Sequence, residues 1–413
     1  MRTPKRAEPE TLPCTMPGTV SPTLSRRTAL RLAGLGAGAG VSATLGGCQS
    51  ANMFGDAPPA GPAESKPSMS IGTGSVRVGL ILPLTASGNA GSAAQSLKNA
   101  AELAIAEFNA PDISLIVKDD GGSAQGGQQA AEQAISEGCE IILGPLFAVA
   151  VRPAGQIARQ RGVPVIAFST DAQVASRGVH LLSFLPASDV DRIVGYAAEQ
   201  RRKSFAALLP DTAYGQVVEA EFQQAVAKNN GRVLGLARYA AGNPAGAVAQ
   251  VSAVARQADC VFVPDGHTAA AAVVNQLRAT GLDTNRTVLI GTGLWDDPAV
   301  HRDPAFNGAW YAAPDNTGFR GFAQRYRAKF GSEPVRTASL SYDAVSLVAA
   351  LVKTQGAQRF SEGVLTNPSG FSGIDGIFRF KSDGTSERGL AVHQIGNGSS
   401  RIISPSPRSF TTA

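Results

Sequence analysis

The sequence predicts an α/β protein made of two similar, doubly wound α/β lobes with a cleft between them. Three observations predict it. Strand and helix patterns alternate from residue 76 onward. The alternation restarts near residue 180. At "EIILGPLFAVAVRPAG", residues 140–155, an aliphatic strand ends in Gly144-Pro145 and a helical pattern begins at once. A chain of 413 residues with 43% apolar content has room for two or three domains with real cores.

The elements of the first lobe follow in order. "VRVGLILPL" (76–84) reads as a strand. Over 92–108, Leu97, Ala101, Ala104, Ile105 and Phe108 share one helical face. "ISLIVKDD" (113–120) is a strand and 128–136 a helix. Residues 140–143 form a strand, Val151, Ala154, Ile157 and Ala158 mark a helix, and "VPVIAFS" (163–169) is a strand. The second lobe opens at "HLLSFLP" (180–186) with a helix over 189–199. Strands "SFAALLPD", "RVLGLARY", "DCVFVPD" and "TVLIGTG" alternate with helices over 214–228, 245–257 and 268–280. Helices over 319–330 and 340–353 come next. "GIFRFKSDGTSERGLAVHQI" closes the fold as two alternating segments around a Ser-Asp-Gly turn, a hairpin pattern.

Upstream of the body, "SRRTALRLAGLGAGAGVSATLGGC" joins a basic start, a Gly/Ala-rich apolar run and small residues before Cys48. Residues 1–47 read as a twin-arginine-like export signal, with Cys48 the expected lipidation site. The run is short for a spanning helix. Residues 48–74, rich in Ala, Pro, Gly and Ser, read as a disordered tether with a reach of about 30 Å. The net charge of +5 sits mostly in the signal, where Arg2, Lys5, Arg6, Arg26, Arg27 and Arg31 outweigh Glu8 and Glu10. The remaining body carries no basic footprint for nucleic acid. Cys139 and Cys260 fall in different lobes, so two free buried thiols are expected rather than a bridge.

No nucleophile elbow, zinc-binding His-Glu-x-x-His or phosphate-binding glycine loop occurs in the body. His180, His267, His301 and His393 lie scattered without ligand spacing. The expectation is a binding protein with no catalytic residues, no metal and no cofactor. Ligands of open α/β sheets sit beyond the carboxyl ends of the strands. The segments to search are therefore 85–89, 119–122, 146–149, 169–171, 211–215, 265–268 and 292–297.

Several stretches resemble the type I periplasmic solute-binding proteins, in the leucine/isoleucine/valine-binding family. They are "VRVGLILPLTASG", "GCEIILGPL", "GVPVIAFSTDAQVA", "PDTAYGQVVEAEFQQAV" and "GIDGIFRFKSDG". The resemblance spans residues 75–401 and implies three chain crossings. The first lobe would be 75–187 plus 312–370, the second 188–311 plus 371–403, with 404–413 a tail. The family's carboxylate-binding serines would fall on 147–149, its threonine on Asp171 or near Thr170, its tyrosine on Gly266 and its glutamate on Gly293. Its common disulfide is missing, with Gly122 and Phe147 at those places. The usual amino-acid site is therefore not expected in its usual form.

Thr85 and Phe147 remain candidate ligand contacts. Ser169, Thr170 and Asp171 either meet a ligand or cap the next helix. Tyr214 lines the cleft or packs on its loop. Asp265 supplies a counter-charge or closes an Asp-Gly turn. Trp295 stacks on a ligand at the cleft edge or packs between lobes. The resemblance implies a lipid-anchored protein on the periplasmic face of a bacterial membrane. It would hand an amino acid or other small polar solute to ABC permease subunits. "ILPLTASG" and "ILGPL" are also similar to the penicillin-binding-protein activator branch of the fold, whose partner would be a peptidoglycan synthase.

Overall fold

The computed structural model describes residues 69–410. The export signal, Cys48 and most of the expected tether lie outside the described residues.

The first sheet contains β1 (Met69–Ile71), β2 (Val76–Leu82), β3 (Ile113–Asp119), β4 (Ile141–Leu143), β5 (Val165–Ala167) and β6 (Val179–Leu181). Their spatial order is β1-β3-β2-β4-β5-β6, all parallel except β1 on the edge. Met69–Ile71 was expected in the tether, but it pairs with Leu115–Val117 of β3. The edge of β3 offers unpaired backbone groups, and a short exposed strand satisfies them.

Helices cover both faces. α1 (Asn89–Glu107) packs on one side, and α2 (Ala124–Ser136) and α3 (Ala148–Gln160) on the other. β2 shows why the strand reads as nearly continuous aliphatic sequence: all of Val76–Leu82 except Arg77 is buried.

The chain crosses to the second lobe through residues 182–185 and starts α4 (Pro186–Glu199). Then come β7 (Ser204–Pro210), α5 (Ala213–Lys228), β8 (Arg232–Tyr239), α6 (Ala245–Ala255), β9 (Cys260–Phe262), α7 (His267–Ala279) and β10 (Val288–Gly291). α8 (Pro298–Arg302) leads to β11 (Trp310–Ala313). The parallel strands lie in the order β8-β7-β9-β10-β11. This repeats the β3-β2-β4-β5-β6 order of the first sheet. Phe205, Phe222 and Phe262 fill one face, with Phe222 and Phe262 stacked at 4.8 Å.

A second crossing at residues 314–315 returns the chain to the first lobe. There α9 (Asn316–Phe330) and α10 (Ala338–Gln355) pack beside α1, and α11 (Glu362–Leu365) follows. β12 (Phe371–Gly373), β13 (Gly376–Phe380) and β14 (Ser386–Arg388) make a small antiparallel sheet. The sequence placed residues from 371 onward in the second lobe. Instead Phe378 and Phe380 sit in the first lobe's core beside Leu80, and the Leu181 N–H donates to the Gly384 carbonyl at 2.8 Å. Apolar burial of the hairpin's phenylalanines decides its side.

The third crossing therefore falls at residues 389–390. β15 (Ala391–Gly396) and β16 (Ser399–Ser404) then extend the second sheet antiparallel. The expected tail is not free. Phe410 lies under the Arg379 guanidinium at 4.6 Å, and Pro407 packs against Gly389.

Cys139 and Cys260 are free and buried. Burial pushes their thiols up to about 11 and about 12. Native protein exposed to iodoacetamide at pH 8 should keep both unmodified, and unfolding in guanidinium should expose both. Labelling of either in the native state would contradict this packing.

Candidate functional site in the cleft

Each lobe has one place where the strand order reverses, and crevices for ligands open beyond the carboxyl ends of strands there. In the first sheet the reversal lies between β2 and β4. Thr85 follows β2 and Phe147 follows β4. In the second sheet it lies between β7 and β9. Tyr214 follows β7 and Asp265 follows β9. Four of the candidate residues thus flank the two reversal points.

The first-lobe corner is tightly built. The Gly144-Pro145 peptide is cis, and Gly144 has φ 90°. A Cβ there would meet the Ile81 carbonyl oxygen at 2.0 Å, so only glycine fits. Phe147 is half-buried, with its ring over Gly122, and Val149 is 52% exposed. α3 begins at this corner with no side-chain cap, so its first amides are available to a ligand. The exposed Thr85 donates its N–H to Asp119 Oδ1 at 3.3 Å. Next to it, Asp120 is buried, with Oδ1 accepting from the Gly122 N–H and Oδ2 without a partner. Burial, with the Asp119 charge adding, pushes Asp120 up to about 6.

At the end of β5, local bonds occupy the polar atoms. Ser169 is buried and its Oγ accepts from the Asp171 N–H at 3.1 Å. The Asp171 carboxylate caps the short helix Ala172–Val174 through the Gln173 N–H. Thr170 stays exposed. In the second lobe, the Tyr214 hydroxyl pairs with Thr292 Oγ1 at 3.1 Å. Asp265 accepts the Tyr239 hydroxyl at 2.8 Å and the Gly266 N–H at 2.7 Å.

Trp295 needs correction. The sequence placed it at the cleft edge for stacking, but it is wholly buried. Its ring fills the space left by Gly291, where a Cβ would come within 2.3 Å, and packs edge-on to Phe306 at 5.1 Å. Its Nε1 donates to the Asp265 carbonyl at 3.1 Å. Leu294, one residue earlier, is the exposed apolar side chain of that turn, at 45%.

Sequence reasoning missed a set of charges near the crossings. Arg336 holds Asp375 through two hydrogen bonds of 2.8 and 2.6 Å, and Ser339 Oγ adds a third at 2.6 Å. Asp343 is buried and pushed up to about 7 by that burial. Asp189, in the first turn of α4, is likewise pushed up to about 7 by burial, against the Gly293 N–H and Arg388. Arg388 is buried as well. One signal was readable: Asp343 interrupts the apolar stripe Leu340, Ala344, Leu347, Val348 of α10.

Two α/β lobes with the same order of parallel strands, joined by three chain crossings, define the two-lobed architecture of the class. The periplasmic binding protein family model matches residues 75–399, and the chain belongs to that family. Solved structures agree in fold. A protein of Rhodospirillum rubrum solved as a branched-chain amino acid ABC transporter is 20% identical. The match covers 79% of this chain and 99% of that one, with a TM-score of 0.71. An ABC transporter substrate-binding protein of Desulfitobacterium hafniense in complex with Leu is 18% identical, with coverage of 79% and 99% and a TM-score of 0.58. A solute-binding protein of R. palustris in complex with benzoate is 20% identical, with coverage of 81% and 98% and a TM-score of 0.53. At these identities the likeness is one of fold. No curated protein matches the chain. The family is one of extracytoplasmic solute binders, not enzymes. Among the described residues no helix is long and apolar enough to cross a membrane.

Two substitutions test this geometry. Trp295→Ala should destabilise the protein by about 3–5 kcal/mol in chemical denaturation, because it empties a core position. A change under about 1 kcal/mol would return Trp295 to the surface. Asp120 binds its proton more tightly folded than unfolded. Its contribution to stability is full below pH 4 and fades as pH rises through about 6. Asp120→Asn should therefore gain on the wild type by about 2–3 kcal/mol between pH 4 and pH 6. A pH-independent difference would contradict a buried carboxyl there.

Proposed function

We propose that the chain is the substrate-binding component of an ABC importer, anchored by a lipid on Cys48 and handing its solute to permease subunits. The observation that carries this reading is the pair of matched strand-order reversals. Their flanking residues, Thr85 and Phe147 in one lobe and Tyr214 and Asp265 in the other, are proposed to line the ligand site, with Ser169, Thr170 and Asp171 at its rim. Closure of the lobes on the solute would be the state the permease reads.

The character of the corner narrows the solute. Leu146 and Phe147 are half-buried and Val149 is exposed, and Leu294 is exposed beside the end of β10. These surfaces suit a small molecule with an apolar body. Leucine and benzoate, the ligands of two structures of similar fold, each join such a body to a carboxylate.

A thermal-shift series on the purified chain tests the reading. The panel would hold the common amino acids, their amides, small aromatic and aliphatic acids, and muropeptides. A solute at a hundred times its dissociation constant stabilises the folded state by about 2.7 kcal/mol. The expected result is a rise in Tm of a degree or more with one class of small solute. A flat response across the panel would contradict it.

A further inference from the structure

Residues 405–410, "PSPRSF", run from the second lobe to the first in addition to the three crossings. Their root is Ser404, the last residue of β16, which lies opposite Val392 in the second sheet. Arg192 of α4 fixes that end. Its Nη2 donates to Ser404 Oγ at 2.5 Å and its Nε to the Leu390 carbonyl at 2.9 Å. The far end is Phe410, seated on the small sheet that packs into the first lobe. The Arg379 guanidinium lies 4.6 Å from its ring centroid. Glu387 holds that guanidinium through bonds of 2.9 and 2.7 Å, and the Pro368 carbonyl accepts a third at 3.2 Å. Gly370, with φ 73°, forms the floor of the seat: a Cβ there would come within 2.9 Å of the Phe410 ring. Midway, Pro407 lies over the third crossing, 3.1 Å from where a Cβ on Gly389 would stand.

Two features give this segment a mechanical role. The first is stiffness. Pro405 and Pro407 fix φ and hold the backbone extended. The six residue steps from Ser404 to Phe410 cannot reach beyond about 22 Å. The second is the gap beneath. A cavity of about 410 Å³ separates α4 and α5 of the second lobe from β14 of the first, with Pro407 and Phe410 among its walls. The charged pairs on those walls close within their own lobes. Lys228 bonds Asp191 at 2.9 Å on the second-lobe side, and Arg379 bonds Glu387 at 2.7 Å on the first-lobe side. Neither pair ties one lobe to the other. A wet, charged face of this kind resists sliding far less than a close-packed apolar one.

We infer that residues 405–410 are a strap that caps how far the two lobes swing apart at this face, with Phe410 as its releasable pin. The three crossings are continuous backbone and cannot let go. The strap is held on the first lobe by one half-buried ring between a guanidinium and a glycine, so it can. With Phe410 seated, the lobes move only within the reach of the stiff segment. With Phe410 released, that limit is gone. The inference rests on the two-lobed architecture and on no solute.

The test measures the gap itself. Ala227→Cys on α5 and Ser382→Cys in the turn after β13 place spin labels at exposed positions on its two sides. The full chain is used, with Cys14 and Cys48 replaced by serine. Without solute, Phe410→Ala and a chain ended after Ser404 should each broaden the distance distribution and shift its outer edge to longer distance. Phe410→Tyr keeps a ring under Arg379 and should retain the wild-type distribution. Phe410→Ala removes no side chain from either lobe's core, so it decides the question even where the shortened chain does not fold. An unchanged distribution in folded Phe410→Ala protein would overturn the strap and leave the solute-binding reading standing. So would a broadening that Phe410→Tyr shares.

Discussion

The structure turns on a group of charged side chains, Arg388, Asp343 and Asp375 buried and Arg336 and Asp189 partly so, at the place where the chain passes between its lobes. Arg388 ends the strand before the third crossing, Asp189 starts the helix after the first, and Arg336 and Asp343 bracket the start of α10. Dehydrated ions are tolerated only when paired or bound. Arg336 and Asp375 meet that condition by themselves, with two hydrogen bonds between them and a serine on the carboxylate. Arg388 does not meet it. Its guanidinium lies instead against the Phe184 and Phe378 rings, at 5.0 and 5.6 Å from their centroids.

This arrangement depends on the doubly wound topology occurring twice. Each sheet reverses its strand order once, and each reversal opens a crevice at the carboxyl ends. At the first-lobe corner the crevice wall is apolar and the glycine-proline turn leaves no hydroxyl. Phe147 instead covers Gly122, and the polar atoms at the end of β5 are spent on Ser169–Asp171 turn bonds. The apolar side chains exposed or half-buried around these strand ends are Leu146, Phe147, Val149 and Leu294.

Much of the architecture was legible because it is local. The alternation of aliphatic strands with helical stripes marks both lobes, and the two thiols in different lobes remain free and buried. What was not legible depends on distant partners. Nothing in "GIFRF" says which lobe receives Phe378 and Phe380, since alternation gives a buried face without naming the surface it meets. Met69–Ile71 lacks an aliphatic pattern, and its strand exists because β3 presents an open edge. Trp295 follows a strand end and so reads as a cleft residue, but Gly291 leaves a hole of the right size directly beneath it. Phe410 finds Arg379 across thirty-one residues of chain. The charges at the crossings come from four separate segments, and only Asp343 breaks a visible pattern.

The central claim is the proposal that a small solute draws the two lobes together. Its most direct test is the distance between spin labels placed at the exposed positions 149 and 294, one in each lobe, with Cys14 and Cys48 replaced by serine so that only buried native thiols remain. The account predicts a broad distance distribution without solute that collapses to a shorter, narrow one with the solute found in the thermal-shift series bound. An identical distribution in both conditions, at a solute concentration that saturates binding, would contradict it.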